Sequence, residues 1–200
     1  MGLGDIRSGL TTLAAGASYN IQPSGEHWGI HNVRASPNTV TFTLAITDGT
    51  HTVTFDSFPG GTVWANAKYY LTNSVYLAIT NTSGSTSGVV GYDGVLGYAP
   101  GTLYSVQSAV ASVAASGTYD IKPTGTQEWT VRNIFYSSDV DLIFTDGTNP
   151  ITDNSAINAM YPKLWAKTEY HVNAFRWLRL SNRSASNAIT VAYQALLSHL

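Results

Sequence analysis

The sequence predicts an all-β protein: two tandem antiparallel β-sandwich domains, jelly-roll-like in outline, arising from an internal duplication. The first observation is a self-match. Tyr19, Ile21, Pro23, Gly25, Trp28, Ile30, Asn32 and Val33 return in order as Tyr119, Ile121, Pro123, Gly125, Trp129, Val131, Asn133 and Ile134, with one residue inserted before the tryptophan. The second is alternation of apolar and polar residues with a period of two, as expected of strands with one buried face. The third is composition: 11% of the 200 residues are charged and 12% aromatic, with abundant Thr, Ser, Gly, Asn and Val, which favours sheets and tight turns over helices.

The repeat sets the domain boundaries: an N-terminal arm at 1–7, a first sandwich at 8–98, a linker at 99–104 and a second sandwich at 105–200. The arm is expected to be loose. Leu10 to Gly16 and its echo Val110 to Ser116 come next. The spacing of Ile6, Leu10 and Leu13, and of Val106, Val110 and Val113, also suits a short helix, but β-branched and small polar residues favour extended chain closing on turns at Gly16 and Gly117. The matched stretch then reads strand, turn, strand, with Pro23-Ser24-Gly25 and Pro123-Thr124-Gly125 as the turns. Its tryptophans are expected to fill the space between two sheets.

Val40 to Ile46 and Val140 to Phe144 run into Asp-Gly-Thr in both copies, and Asp48-Gly49 and Asp146-Gly147 signal hairpins with type I′ turns. The returning strands are His51 to Phe55 and Pro150 to Thr152. Long connections follow, at Phe55 to Val63 and Thr152 to Leu164, and there the copies diverge most. Divergent loops on matching frameworks are places for partner-specific contacts. The match resumes at Trp64 and Trp165 and ends at Tyr92 and Tyr193, through a half-buried strand and a final strand in each copy. About seven or eight strands per unit, joined at short intervals, mark a sandwich.

A net charge of -2 argues against a dedicated nucleic-acid binder, which needs a basic excess to neutralise phosphates. The absence of cysteine excludes disulfides and thiolate metal sites. The opening residues lack the unbroken apolar run of a signal peptide, and no segment approaches a membrane span, so synthesis and folding in a cytoplasm are expected.

Candidate chemistry is sparse. His27 and His31 are four apart, but Gln127 and Arg132 stand in their regions of the second copy, so no metal is expected. Asp139 and Asp141 with Asp146 form a conceivable carboxylate cluster, against Thr39 and Thr41 in the first copy. The glycine-rich stretches fit neither a P-loop nor a dinucleotide fingerprint. No histidine stands in a recognisable relation to a serine nucleophile, so neither catalytic residue, cofactor nor enzymatic activity is expected. Asn81-Thr82-Ser83 and Asn182-Arg183-Ser184 match a glycosylation pattern that carries little weight without a secretory signal.

Tyr, Trp and Arg remain. They suit an interface with like or related subunits better than a sugar-stacking platform, although that alternative stands. The candidate interface residues are Ile6, Arg7, Tyr76, Tyr161, Trp165, Arg176, Trp177 and Arg179. A packed Trp177 flanked by solvated arginines is an equally good reading of the last three.

Leu13-Ala14-Ala15-Gly16-Ala17-Ser18-Tyr19-Asn20-Ile21-Gln22-Pro23, Trp28-Gly29-Ile30-His31-Asn32-Val33, Asp48-Gly49-Thr50 and Tyr70 to Ile79 together resemble the β-sandwich modules of tailed-phage virion proteins, in particular head decoration (cement) proteins. The resemblance implies a non-enzymatic protein on the outside of an icosahedral capsid. It implies a homotrimer that bridges major capsid protein subunits and is assembled in the host cytoplasm, with no nucleic-acid or membrane partner. The alternative is a carbohydrate- or receptor-binding module of a fibre or baseplate, with a glycan as ligand. Cementing works by many weak contacts repeated by symmetry.

Overall fold

The computed structural model describes residues 4–61, 63–64, 68–97, 99, 101–157, 164–165 and 169–200. The first repeat comprises β1 (Ile6–Leu13), β2 (Ser18–Ile21), β3 (Trp28–Ser36), β4 (Thr41–Thr47), β5 (Thr52–Pro59), β6 (Val63–Trp64), β7 (Tyr69–Leu71), β8 (Tyr76–Asn81) and β9 (Gly88–Leu96). The second comprises β10 (Val106–Val113), β11 (Thr118–Ile121), β12 (Glu128–Tyr136), β13 (Val140–Thr145), β14 (Pro150–Ile157), β15 (Leu164–Trp165), β16 (Tyr170–Asn173), β17 (Trp177–Asn182) and β18 (Ile189–His199).

Each repeat is a jelly roll of two antiparallel sheets. One sheet of the first repeat runs β1-β9-β3-β6, with β7 also on β3, and the other runs β2-β8-β4-β5. The second repeat copies both, as β10-β18-β12-β15 with β16 on β12, and β11-β17-β13-β14. Among the described residues each repeat has nine strands rather than seven or eight because one strand position is split: β6 and β7 both pair with β3, as β15 and β16 pair with β12.

Burial follows the alternation. Ile21, Leu44, Ile46, Leu77 and Ile79 fill the first core, and Ile121, Leu142, Leu178 and Leu180 the second. The repeated tryptophans join an aromatic ladder that links the two sheets of each sandwich. Trp28 stacks on Tyr92 at 6.2 Å and Tyr92 meets Tyr19 at 6.5 Å; Trp129, Tyr193 and Tyr119 repeat this at 5.9 and 6.4 Å. Trp28 Nε1–H donates to Glu26 and Trp129 Nε1–H to Gln127, two residues back in each case. The indole is thus packed on one side and satisfied on the other.

Asn81 and Asn182 tie the sheets together on the polar side. Asn81 Nδ2 donates to the carbonyls of Leu13 and Thr86 while its Oδ1 accepts from Ser83 N–H. Asn182 does the same with Val113, Ala114, Asn187 and Ser184. Both side chains are buried, so the glycosylation pattern marks an internal brace.

Four expectations need correction. The hairpins after β4 and β13 are four-residue loops, since Thr47 pairs with Thr52 and Thr145 with Pro150. Only Gly49 and Gly147 take positive φ, at 89° and 94°, because each aspartate folds back to accept two backbone N–H groups: Asp48 from Thr50 and His51, Asp146 from Thr148 and Asn149. The turn before β11 places Ser116, not Gly117, in the left-handed region at φ 55°, where the first repeat has Gly16 at 72°. Asp56 to Phe58, expected in the connection after Phe55, belong to β5, whose alternation is shifted by an irregularity in its pairing with β4 between Leu44 and Ala45. Finally, the arm is ordered against β9 from Gly4 onward. Ile6 and Arg7 open β1, Gly4 N–H donates to Leu96 O and Leu96 N–H to Asp5 O. The last linker residue, Tyr104, and Ser105 after it make the same pair of bonds with Leu197, so the linker's end is the start of the second jelly roll.

Candidate interaction surfaces

The two jelly rolls pack side against face. The flank of the first, built from β5 and β7, lies on the outer face of the β10-β18-β12 sheet, and the apolar core of the first repeat continues into Val110, Phe135 and Ala192 of the second. Phe55 and Phe135 meet at 4.9 Å, with Tyr69 beside Phe55 at 5.6 Å. Phe55, Tyr69 and Phe135 are fully buried, and burial of aromatics on this scale stabilises the junction by several kcal/mol, of order 1.5–3 per side chain.

A polar seam runs beside this apolar centre. Gln194 Oε1 accepts from Tyr70 N–H at 3.1 Å and from Asn133 Nδ2 at 2.7 Å, and Asn133 Nδ2 also donates to Lys68 O at 2.9 Å. At the linker end, His27 Nδ1 accepts Val106 N–H at 2.9 Å. Burial holds the His27 imidazole below its ordinary pKa, and the bond requires the neutral ring.

The duplication makes a second such surface available. In register, Leu10, Gly91, Arg34, Asp93 and Asn32 of the first repeat occupy the places that Val110, Ala192, Phe135, Gln194 and Asn133 hold in the second. Leu10 is 79% and Ile6 76% exposed, whereas Val110 and Val106 are buried at 8% and 7%. Asn32 Nδ2 donates to Asp93 at 2.7 Å, as Asn133 does to Gln194, and Arg34 forms an ion pair with the same carboxylate. Burial pushes the Asp93 carboxyl up, but the bonds from Arg34 and Asn32 outweigh it and hold it below its usual range. On the equivalent flank of the second repeat, among the described residues, Asp153, Glu169 and His171 are exposed, with Tyr170 O–H donating to Asp153.

The candidate interface residues do not form one patch. Trp177 is buried at 6% exposure, wedged beneath the Asp146-Gly147 hairpin with Lys122 Nζ 3.6 Å from its ring centroid. It is a prop for the hairpin and not an exposed anchor, because on the face of β17 opposite the core residues Leu178 and Leu180 the hairpin and Lys122 cover it; Tyr76 takes the same place beneath Gly49. Arg179 is held by Asp120 in a bidentate pair at 2.7 and 2.8 Å across β11 and β17. Arg7 is held by Glu26 at 3.1 and 3.2 Å. Arg176 is exposed beside Phe175, itself 79% exposed and absent from the expected set. Tyr161 lies outside the described residues, and of Trp165 only the backbone pairing with Ile134 is described. Leu10, Arg34 and Asp153 also stand outside the expected set; the signal for the last two is the exchange, between copies, of Phe135 for Arg34 and Phe55 for Asp153.

Among the described residues no group of three or more His, Cys, Asp or Glu stands close enough to hold a metal ion. His27 faces the module junction while His31 is exposed, and Asp146 is committed to its own hairpin, whose N–H groups from Asn149 and Thr148 bring its pKa down to about 2. A cleft of about 380 Å³ opens where the modules meet, between Trp28, Lys68, Tyr70, Tyr104 and Leu196.

No protein-family model matches the chain, and no curated protein matches it. Similar solved structures include the major capsid protein P2 of bacteriophage PM2, at 14% identity and a TM-score of 0.37 over 96% of this chain and 98% of that one. The PBSX exported protein XepA is similar at 12% and 0.31, over 98% and 87%. A chain in the structure of Sulfolobus Turreted Icosahedral Virus is similar at 15% and 0.29, over 98% of this chain and 61% of that one. Likenesses at this level carry no functional argument.

Proposed function

We propose that the chain is a structural, non-enzymatic virion protein that decorates a phage capsid from outside and cements it by bridging major capsid protein subunits, as a homotrimer assembled in the host cytoplasm. The observation that carries this reading is the pair of open faces. The chain buries one face-to-flank contact between its own modules and leaves the equivalent face, centred on Leu10, and the equivalent flank, at Asp153, exposed. A protein built from repeated association surfaces, with Arg7, Arg34 and Arg179 paired to Glu26, Asp93 and Asp120, suits assembly by many modest contacts. The residue-level likeness to head decoration proteins supports the same reading.

The test is to mix the purified chain with undecorated heads and sediment them. Saturable co-sedimentation, with raised resistance of the heads to heat, is the expected result; a chain left in the supernatant at every concentration contradicts it.

A second reading, glycan binding by a fibre or baseplate module, draws on the junction cleft, where Trp28, Tyr70 and Tyr104 stand beside Lys68 as aromatic faces on which a sugar ring stacks. A glycan array that scores with the wild type and not with Tyr104→Ala would favour it.

A further inference from the structure

We infer that the flank built from β14 and β16 of the second repeat, at Asp153, Glu169 and His171, docks on the outer face of the β1-β9-β3 sheet of another copy of this chain, with Arg34 of one copy paired to Asp153 of the next. This deepens the homotrimer in the proposed function by assigning its interface, and it rests on that reading only for the number of copies.

The internal junction is the template. At its centre Phe135 of the receiving sheet meets Phe55 of the docking flank. The equivalent of Phe135 is Arg34, since β3 and β12 align through Asn32-Val33 and Asn133-Ile134. The equivalent of Phe55 is Asp153, each lying at the irregularity where β4 pairs with β5, between Asp56 and Thr54, and β13 with β14, between Asn154 and Thr152. Docking by the same geometry therefore replaces an aromatic pair with a cation and a carboxylate. Two unrelated surfaces would not be expected to change in this coordinated way.

The surrounding positions follow suit. Leu10 replaces Val110 while Gly91 replaces Ala192, and Leu10 leans over Gly91, its Cδ1 3.0 Å from where a β-carbon would stand. The larger and the smaller residue together keep the surface level. The acceptor at the seam is kept too. Asp93 takes the place of Gln194, already bridged by Asn32, so the His171 N–H and the Glu169 carbonyl of the arriving flank would meet an acceptor and a donor, as Tyr70 and Lys68 do internally.

The contact is heterologous, so successive copies alternate internal and external junctions and must close a ring or extend a fibre. Three copies closing a ring would place six jelly rolls around it.

The experiment is a charge swap read by light scattering, with circular dichroism to verify folding. Wild type is expected at a multiple of the 21.4 kDa chain mass. R34D and D153R are each expected to weaken association by roughly tenfold or more, R34D/D153R to restore it, and Leu10→Glu, which leaves the Arg34–Asp93 pair in place, to abolish it. A wild type of single-chain mass overturns the proposal, as does a multimer indifferent to all these variants; singles that dissociate without rescue by the double swap overturn the Arg34–Asp153 pairing. A multimer that obeys the swap yet ignores capsids would remove the cementing role and leave the interface standing.

Discussion

Ser116 sits at φ 55° in the turn that Gly16 makes in the first repeat. A side chain in the left-handed region is strained by its β-carbon, by about 1–2 kcal/mol, partly offset by the greater freedom of glycine in the unfolded chain. Ser116→Gly is therefore expected to stabilise the protein by about 0.5–1 kcal/mol, visible as a higher urea midpoint at unchanged slope. His27 acts at the same scale with the opposite sensitivity. Burial lowers its folded pKa, so the folded state prefers the neutral ring whose Nδ1 accepts Val106 N–H. Its contribution is fully present above the unfolded value of about 6.5 and is lost as pH falls through that value toward the folded one. His27→Gln keeps an acceptor and does not titrate; the loss of stability between about pH 8 and pH 5 should shrink, with His31, also lowered by burial, accounting for part of what remains.

Among the elements, the paired asparagine braces are the most demanding. Asn81→Ala would leave the carbonyls of Leu13 and Thr86 and the Ser83 N–H without their partner, a cost of about 2–4 kcal/mol. Asn182→Ala should cost a similar amount, and equilibrium unfolding of each variant would measure it. The elements also show where the sequence could be read. Alternation in β3, β8 and β12 and the recurrence of Trp28 as Trp129 disclose the strands and the duplication, because burial on one face leaves a period of two. β5 was harder to read. The shift in its pairing with β4 brings Phe55 and Asp56, adjacent in sequence, both to buried positions, which breaks the alternation and makes the strand's end resemble a loop. Asp-Gly discloses the hairpins but not their turn type, because the aspartate carboxylate engages the two N–H groups after Gly49 and Gly147 instead of leaving the turn to the backbone alone.

At the scale of the whole molecule, the junction between the jelly rolls was not legible. Leu10 and Val110 are similar residues in matching strands, yet one is 79% exposed and the other 8%; only the placement of the modules separates them. Trp177 is the converse case: flanked by Arg176 and Leu178-Arg179 it reads equally as a surface anchor or as a packed side chain, and the hairpin above it, which buries it, decides for the second. What the sequence did contain was the exchange of Phe135 for Arg34 and of Phe55 for Asp153, which becomes informative once Phe55 and Phe135 are seen in contact. On the proposed reading, this chain works by associating through the faces its own junction leaves open. The mass of the purified wild-type chain in solution, by light scattering across a concentration series, tests it most directly. An assembly of about three 21.4 kDa chains, closed as a ring of alternating junctions, is expected; a single-chain mass that persists to the highest concentration would contradict this.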